Sequence, residues 1–173
     1  YMGEEIAMPS PSLARKDLVD PPSKKLWPFY NRDIARTPMQ WDDSPNAGFT
    51  TGKPWLPVGP SREKINVAEQ KTDPHSVLNF YRALLHLRRE SPALRRGAFR
   101  PLVERPVNAM IYLRETGEQT MLVALNFFGH HTTLQLPDGS WRQALSTHIG
   151  GDPVGNQLEL APFEAVIIEK RAN

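Results

Sequence analysis

The chain has 173 residues, and its 21 lysines and arginines against 19 aspartates and glutamates give a formal net charge of +2. This balance gives no indication of nucleic-acid binding or of a basic membrane-binding surface. The absence of cysteine excludes disulfides, thiolate metal ligands and cysteine nucleophiles, and is typical of a cytoplasmic protein. No apolar run approaches the ~20 residues of a membrane helix. We therefore expect a globular protein without a membrane segment, a metal or a cofactor.

The first 74 residues hold 11 of the 17 prolines, which fix φ and remove backbone donors. This density predicts mostly irregular chain, either a functional loop or a disordered segment. Three of the four tryptophans, Trp27, Trp41 and Trp55, lie in the same stretch. Because disordered segments are poor in aromatic residues, we predict an ordered and packed loop.

A long helix is predicted from Asp73, with this carboxylate as the N-cap and Pro74 at the first helical position. Apolar residues follow at near-3.6 spacing, which indicates an amphipathic helix. Ser91 and Pro92 are expected to divide the run into one long helix and a short extra turn, which Gly97 ends. The arginines near the end of the run indicate a solvated helix terminus.

After residue 97, seven short apolar runs predict β-strands. They cover residues 98–104, 109–115, 120–127, 131–137, 141–147, 156–160 and 164–170. Strands at this spacing predict an antiparallel sandwich or a partly open barrel, and Asp138-Gly139 between two of them predicts a hairpin. His130 and His131 are expected at the surface beside a turn rather than on a metal. Alternation along the strands places seven side chains on the inner face: Ile111, Leu122, Ala124, Leu134, Leu136, Val166 and Ile168.

Residues 1–8, YMGEEIAM, are predicted to form a β-strand, followed by a long loop and the helix from Asp73. This is one βα unit, and a single unit cannot bury both faces of its strand. The strand therefore needs neighbours that this sequence does not supply. Its open edges predict association with a partner chain or with a second copy, or disorder near residues 1–60.

Three segments carry a specific resemblance to a known enzyme family. They are YMGEEIAM, RDIARTPMQWDDSPNAGFTTGKPWLPV and INVAEQKTDPHSVLNFYRALLHLRRESPALRRG. Together they resemble the C-terminal third of an α-glucosidase of the α-amylase superfamily, glycoside hydrolase family 13. The resemblance is dense over residues 1–97 and continues over residues 98–173 in pattern rather than in motif.

The resemblance implies the fold class, which is the last βα unit of a (β/α)8 barrel followed by an antiparallel all-β sandwich domain. Residues 1–97 would hold strand 8, a long loop at the active-site mouth and helix 8, and residues 98–173 the C-terminal domain. Active sites of such barrels lie at the C-terminal ends of the strands. The implied function is that of a retaining α-glucosidase-type hydrolase whose substrate is an α-linked gluco-oligosaccharide or disaccharide.

The catalytic groups that the resemblance implies lie outside the chain. The family uses a nucleophilic Asp on strand 4, a general-acid Glu on strand 5 and a further Asp on strand 7. Glu4 and Glu5 are neighbours that would face opposite ways on a strand, so we expect them to be structural. We therefore expect no catalytic residue in this chain and no glycosidase activity of the chain alone.

Two arginines are candidates for substrate binding. Arg36 resembles the family arginine that reaches the sugar in the −1 subsite, where a guanidinium can donate to a hydroxyl and to a carboxylate at once. The carboxylate that would pair with it is expected outside the chain. Arg32 is the second and weaker candidate.

Two other functions stay open at this stage. One is a non-catalytic β-sandwich module that binds carbohydrate or forms an interface. An aromatic sugar-binding row in residues 98–173 would have to be built from Trp141 and Tyr112. The other is an enzymatically dead relative that keeps the fold. The linkage (α-1,4, α-1,6, trehalose or sucrose) and the choice between hydrolase and transferase depend on segments outside the chain.

Overall fold

The computed structural model describes residues 1–102 and 109–171, and within them it contains four α-helices and seven β-strands. The helices are α1 (Pro21–Leu26), α2 (Val67–Thr72), α3 (Val77–Glu90) and α4 (Pro92–Arg96). The strands are β1 (Ala98–Leu102), β2 (Met110–Glu115), β3 (Thr120–Leu125), β4 (Thr132–Gln135), β5 (Trp141–Ser146), β6 (Gln157–Leu160) and β7 (Ala165–Lys170). The chain divides into two compact units, Tyr1–Arg82 and Ala83–Asn173.

The prediction of a strand in residues 1–8 is wrong. Glu4–Ile6 form a 3₁₀ turn, flanked by Gly3 at φ 98° and Ala7 at φ 51°. These left-handed residues bend the chain at both ends of the turn, so that the N–H of Met8 returns to the carbonyl of Gly3 at 2.9 Å. A strand also requires a hydrogen-bonded neighbour, and the whole of residues 1–97 contains none.

The first unit is ordered although it has little regular structure. Two clusters of buried residues hold it together, one of Ile6, Met39, Val67 and Leu78 and the other of Leu13, Leu18 and Leu56. The prediction of a packed loop is therefore confirmed, but the tryptophans are not its core. Trp41 and Trp55 are 50% and 59% exposed.

The predicted start of the long helix is wrong by three residues, since α3 begins at Val77 and not at Pro74. Asn66 caps a separate helix, α2, by accepting the N–H of Glu69, and Asp73 follows that helix in extended conformation. The cap of α3 is Ser76, whose hydroxyl accepts the N–H of Asn79 at 3.2 Å. The other end of the helix is as predicted, because α3 ends before the Ser91 cap, α4 begins at Pro92 and Gly97 ends it.

The seven predicted strands and their antiparallel pairing are confirmed for the described residues, whereas residues 103–104 of the first run lie outside them. Five strands form one sheet in the order β1-β2-β3-β7-β5, and β4 and β6 form a second. All seven side chains predicted for the inner face are buried in one core cluster, to which both sheets contribute. On its other face the larger sheet packs Met121, Val123 and Ile167 against Ala93 and Leu94 of α4.

The hairpin predicted at Asp138-Gly139 is wrong, because β4 pairs with β6 and β5 pairs with β7. The turn is closed by a side-chain bond, and its backbone is bonded to another segment. The carbonyl of Pro137 accepts the indole N–H of Trp141 at 3.0 Å, and the carbonyl of Ser140 accepts the N–H of Arg171 at 2.8 Å. The turn therefore carries the chain from one sheet to the other.

Candidate functional site

A pair of buried carboxylates in the first unit forms the centre of the candidate site. Asp20 caps α1 and accepts hydrogen bonds from the backbone N–H of Ser23 at 2.9 Å and from its hydroxyl at 2.7 Å. Pro21 at the first helical position favours this cap, because its missing N–H needs no partner there. Asp20 is 8% exposed, so its carboxylate is held almost entirely by protein groups.

Asp33 supplies the second carboxylate, from a 3₁₀ turn formed by Asp33–Ala35. It is 2% exposed, and one oxygen accepts the N–H groups of Val19 at 2.7 Å and of Asp20 at 2.9 Å. Its side chain thereby ties the segment before α1 to the 3₁₀ turn and sets the two aspartates side by side.

Two nitrogens of Arg32 donate hydrogen bonds to the carboxylate of Asp20. Its Nε lies 3.2 Å from Oδ2 and its Nη2 lies 2.5 Å from Oδ1. This pairing, followed by the hydrogen bonds from Ser23, outweighs burial and holds the pKa of Asp20 well below its usual range. The same pairing raises the pKa of Arg32, whose guanidinium also lies 5.9 Å from the ring centre of Tyr30.

Arg36 contacts the same carboxylates more loosely. Its Nη1 lies 3.5 Å from Oδ1 of Asp20 and 3.9 Å from Oδ1 of Asp33, and its side chain is 43% exposed. Its backbone is fixed by Trp55, whose indole N–H donates to the carbonyl of Arg36 at 3.0 Å. The Arg36 contacts with the described carboxylates therefore use one nitrogen of a five-donor group, and its other donors can serve a ligand.

The structure thus brings Arg32 and Arg36 together at Asp20, whereas the expectation that the family carboxylate paired with Arg36 lies outside the chain stays a prediction. Asp20 and Asp33 were missed by sequence reasoning. For Asp20 a signal existed, since Asp-Pro-Pro-Ser is a capped helix start. Asp33 carries no such signal, because its partners are backbone groups 13 and 14 residues away.

Of the two glutamates of the first turn, Glu5 has a local role and Glu4 is exposed. The carboxylate of Glu5 accepts the N–H of Gly3 at 2.8 Å. In the second unit His130 and His131 are exposed, as predicted. Among the residues that the structure describes, no group of three or more His, Cys, Asp or Glu is placed to hold a metal ion.

Two open clefts lie in the first unit. One, of about 310 Å³, is lined by residues 1–4 and 8–10 together with Ile34 and Ala35, which directly precede Arg36. The other, of about 330 Å³, lies between residues 16–19 and 53–57 and includes Trp55. In the described part of the chain, no helix has both the length and the apolar character needed to cross a bilayer.

Comparison with known proteins places this geometry in a family. The family model of the α-amylase catalytic domain matches residues 1–97. A probable oligo-1,6-glucosidase 2 of Bacillus subtilis (strain 168) is 37% identical over an alignment of 138 residues that covers 78% of this chain and 25% of that protein. An oligo-1,6-glucosidase of Heyndrickxia coagulans is 33% identical over 164 residues, which are 95% of this chain and 28% of that protein.

Solved structures agree with the sequence relatives. The trehalulose synthase of Pseudomonas mesoacidophila MX-45 matches with a TM-score of 0.86 and 34% identity, covering 98% of this chain and 35% of that one. The isomaltulose synthase of Klebsiella sp. LX3 matches with a TM-score of 0.88 and 31% identity, covering 99% and 35%. The chain thus spans about a quarter to a third of the length of these relatives. The family resemblance predicted from the three sequence segments is confirmed, and the chain belongs to the α-amylase family.

Proposed function

We propose that this chain is the C-terminal part of a retaining α-glucosidase-type hydrolase that acts on α-linked gluco-oligosaccharides. The match of residues 1–97 to the catalytic-domain model carries the proposal, and the glucosidase relatives support it. We further propose that residues 1–97 complete the catalytic barrel and that residues 98–173 form the C-terminal β domain. The end of the family match at residue 97 and the start of β1 at Ala98 support this boundary.

In this proposal the chain supplies part of the substrate pocket and not the reacting carboxylates. A retaining glycosidase needs a nucleophile and a general acid about 5–5.5 Å apart across the scissile bond. Glu5 accepts the N–H of Gly3, Glu4 beside it is exposed, and Asp20 is paired with Arg32. The chain alone is therefore expected to hydrolyse no glycoside.

Arg36 is the residue that we propose to contact the sugar, and Arg32 the one that anchors the loop. Arg32 uses a bidentate grip on a buried carboxylate, which commits its guanidinium to the protein. Arg36 keeps donors available and is held near negative charge at distances of 3.5 and 3.9 Å. A half-exposed guanidinium in this setting can donate to sugar hydroxyls without losing its own support.

An independent carbohydrate-binding role of the β domain is less well supported. Trp141, one of the two residues that could form an aromatic row, is 4% exposed and bonded to Pro137. Tyr112 is half-buried and packs on Phe99, with ring centres 5.0 Å apart. Trp141 is therefore too buried for a sugar to stack on, and Tyr112 already packs on another ring.

A chimera tests the proposal. The chain would replace the matching segment of the Bacillus subtilis relative, and hydrolysis of isomaltose, maltose and p-nitrophenyl α-glucoside would be measured. We expect turnover by the chimera and none by the chain alone. In the chimera, Arg36→Ala is expected to lower kcat/KM by about 10- to 100-fold, because a charged hydrogen-bond donor is lost.

Arg15→Ala is the matched control, since Arg15 is exposed and its Nε bonds only the carbonyl of Lys24. This variant should keep the chimera's activity. A folded chimera without activity would show that this chain cannot complete the substrate pocket of a glucosidase, which would overturn the proposal. A second contrary outcome is that the chain alone hydrolyses a glycoside and loses that activity in Glu4→Gln or Glu5→Gln. This result would overturn the proposal, because it would place catalytic carboxylates in this chain.

A further inference from the structure

We propose that the cleft between residues 16–19 and 53–57 is a saccharide subsite that binds one neutral glucosyl unit against the indole of Trp55. This cleft of about 330 Å³ is separate from the carboxylate and guanidinium groups of the candidate site. The inference rests on the proposed function only for the class of sugar. The site itself follows from the geometry of the described residues.

The walls of the cleft are fixed. Leu18 and Leu56, one from each wall, are both 2% exposed and share a buried cluster with Leu13. The N–H of Val19 donates to Asp33 at 2.7 Å, and the indole of Trp55 donates to the carbonyl of Arg36 at 3.0 Å. Both walls are thus tied to the two ends of one 3₁₀ turn, so the cleft does not have to be organised by its ligand.

Trp55 presents a large apolar surface in this cleft. It is 59% exposed, although its only polar atom is already bonded to Arg36. Phe49 contacts it edge-on, with ring centres 5.1 Å apart and the planes at 89°. The ring is therefore held in one orientation, and what it offers to solvent is apolar. The C–H face of a pyranose ring is complementary to such a surface, because it covers the ring while its hydroxyls point outward to polar groups.

The polar groups beside Trp55 suit hydroxyls rather than a fixed charge. Lys16 and Lys53 are exposed, Asp17 is half-buried, and all three line the cleft. None of the three forms an ion pair with any residue that the structure describes. Two ammonium donors and one carboxylate acceptor match the mixed donors and acceptors of a sugar. Because Asp17 offsets one of the two lysines, the net charge of the three is only +1, and the apolar ring of Trp55 leads us to assign a neutral sugar ring as the ligand.

The test uses the ¹⁵N-labelled 173-residue chain, titrated with isomaltose and with maltose while the indole N–H signals are followed by NMR. We expect the Trp55 signal to shift with a Kd on the order of 1 mM, since one small ligand face is buried. Trp55→Ala should weaken binding by about three- to tenfold, the range of an aromatic contact. Trp41→Ala is the matched control, because Trp41 is also half-exposed but lies outside the cleft.

Two further variants keep the test decisive if Trp55→Ala disturbs the fold. Trp55→Phe keeps an aromatic ring and should keep most of the affinity. Lys53→Ala should weaken binding, whereas Lys25→Ala, an exposed lysine of α1, should not. Circular dichroism and the dispersion of the other amide signals report on the fold of each variant.

Several outcomes would overturn the inference. Binding that survives in Trp55→Ala and is lost in Arg36→Ala would place the sugar at the candidate site, which would leave the proposed function standing. Tighter binding of glucose 6-phosphate than of glucose would make the cleft an anion site. By contrast, Trp55-dependent binding together with an inactive chimera would support the subsite and would count against the proposed function.

Discussion

The carboxylate of Asp20 is held by two nitrogens of Arg32, at 3.2 Å from Nε and 2.5 Å from Nη2. The two residues are 12 positions apart in a segment without strands, yet the bidentate geometry makes them one rigid unit. The same carboxylate caps α1 and faces Arg36 at 3.5 Å. Asp20 therefore connects the local folding of the loop to the arginine that we propose for substrate binding.

This relationship predicts a pH dependence of stability. The pKa of Asp20 is lowered in the folded state from an ordinary value of 3.8, so its ionised form stabilises the fold. That contribution is fully present above the unfolded pKa and is lost as the pH falls below it. Asp20→Asn should therefore destabilise the chain at pH 7. The difference in unfolding free energy between the two proteins should shrink as the pH falls below about 4.

Urea unfolding at several pH values measures this difference, and the other carboxylates cancel because both proteins contain them. Asp17→Asn is the control, because the side chain of Asp17 makes no hydrogen bond to a described residue. It should change stability little at any pH. A wild-type advantage over Asp20→Asn that grows on acidification would contradict the assigned direction of the pKa shift.

The sequence predicted the β region well because its pattern is local and repeated. Leu122 and Ala124 are two positions apart on one strand, so they share a face of the sheet. That face follows from the local spacing alone. The break between α3 and α4 is likewise set locally, by the preferences of Ser91 for the cap and of Pro92 for the first helical position. The pairing of the strands was not predictable in this way. Asp138-Gly139 has hairpin chemistry, but long-range pairing with β6 and β7 decides where the flanking strands go.

The candidate site was predicted only in part for the same physical reason. Arg36 and Arg32 were identified through a family motif, whereas Asp33 acts through the backbone of Val19 and Asp20. Irregular chain has no repeating pattern from which such a side chain and its distant backbone partners could be matched. The strand expected in residues 1–8 failed differently, because an extended run becomes a strand only when a neighbouring strand pairs with it.

Gly97 is predicted to be required by close packing rather than by its backbone angles. Its φ is −65°, which any residue can adopt. A methyl group there would collide with the carbonyl oxygen of Ala93 and come within 2.9 Å of the backbone N and O of Glu115. Gly97→Ala should therefore lower the unfolding free energy by about 1–3 kcal/mol. Gly117→Ala is the control, since a methyl group there meets no atom within 4 Å. Equal stability of the two variants in urea would contradict this prediction. It would show that the backbone around Gly97 shifts at little cost in free energy.

Gln119 is predicted to brace α4 against the larger sheet. Its side-chain oxygen accepts the hydroxyl of Ser91 at 2.7 Å and the N–H of Ala93 at 3.2 Å, while its nitrogen donates to Glu169 at 2.7 Å. Gln119→Ala should cost about 1–3 kcal/mol, because three polar partners lose a bond. It should also raise the pKa of Glu169, which the bond from Gln119 lowers most. Gln135→Ala, on an exposed position of β4, should change neither the urea midpoint nor the NMR titration of Glu169.

Thr132 is predicted to limit the stability of the second unit. It is 6% exposed on the inner side of β4, and its hydroxyl oxygen has no hydrogen-bond partner in the described structure. Removing a buried polar group from water without a partner costs free energy, whereas valine fills almost the same space without that cost. Thr132→Val should therefore raise the unfolding free energy by about 1 kcal/mol. Thr133→Val, on the exposed side of the same strand, is the matched control and should leave it unchanged. Loss of stability in Thr132→Val alone would show that the hydroxyl is bonded in solution, to a water molecule inside the core.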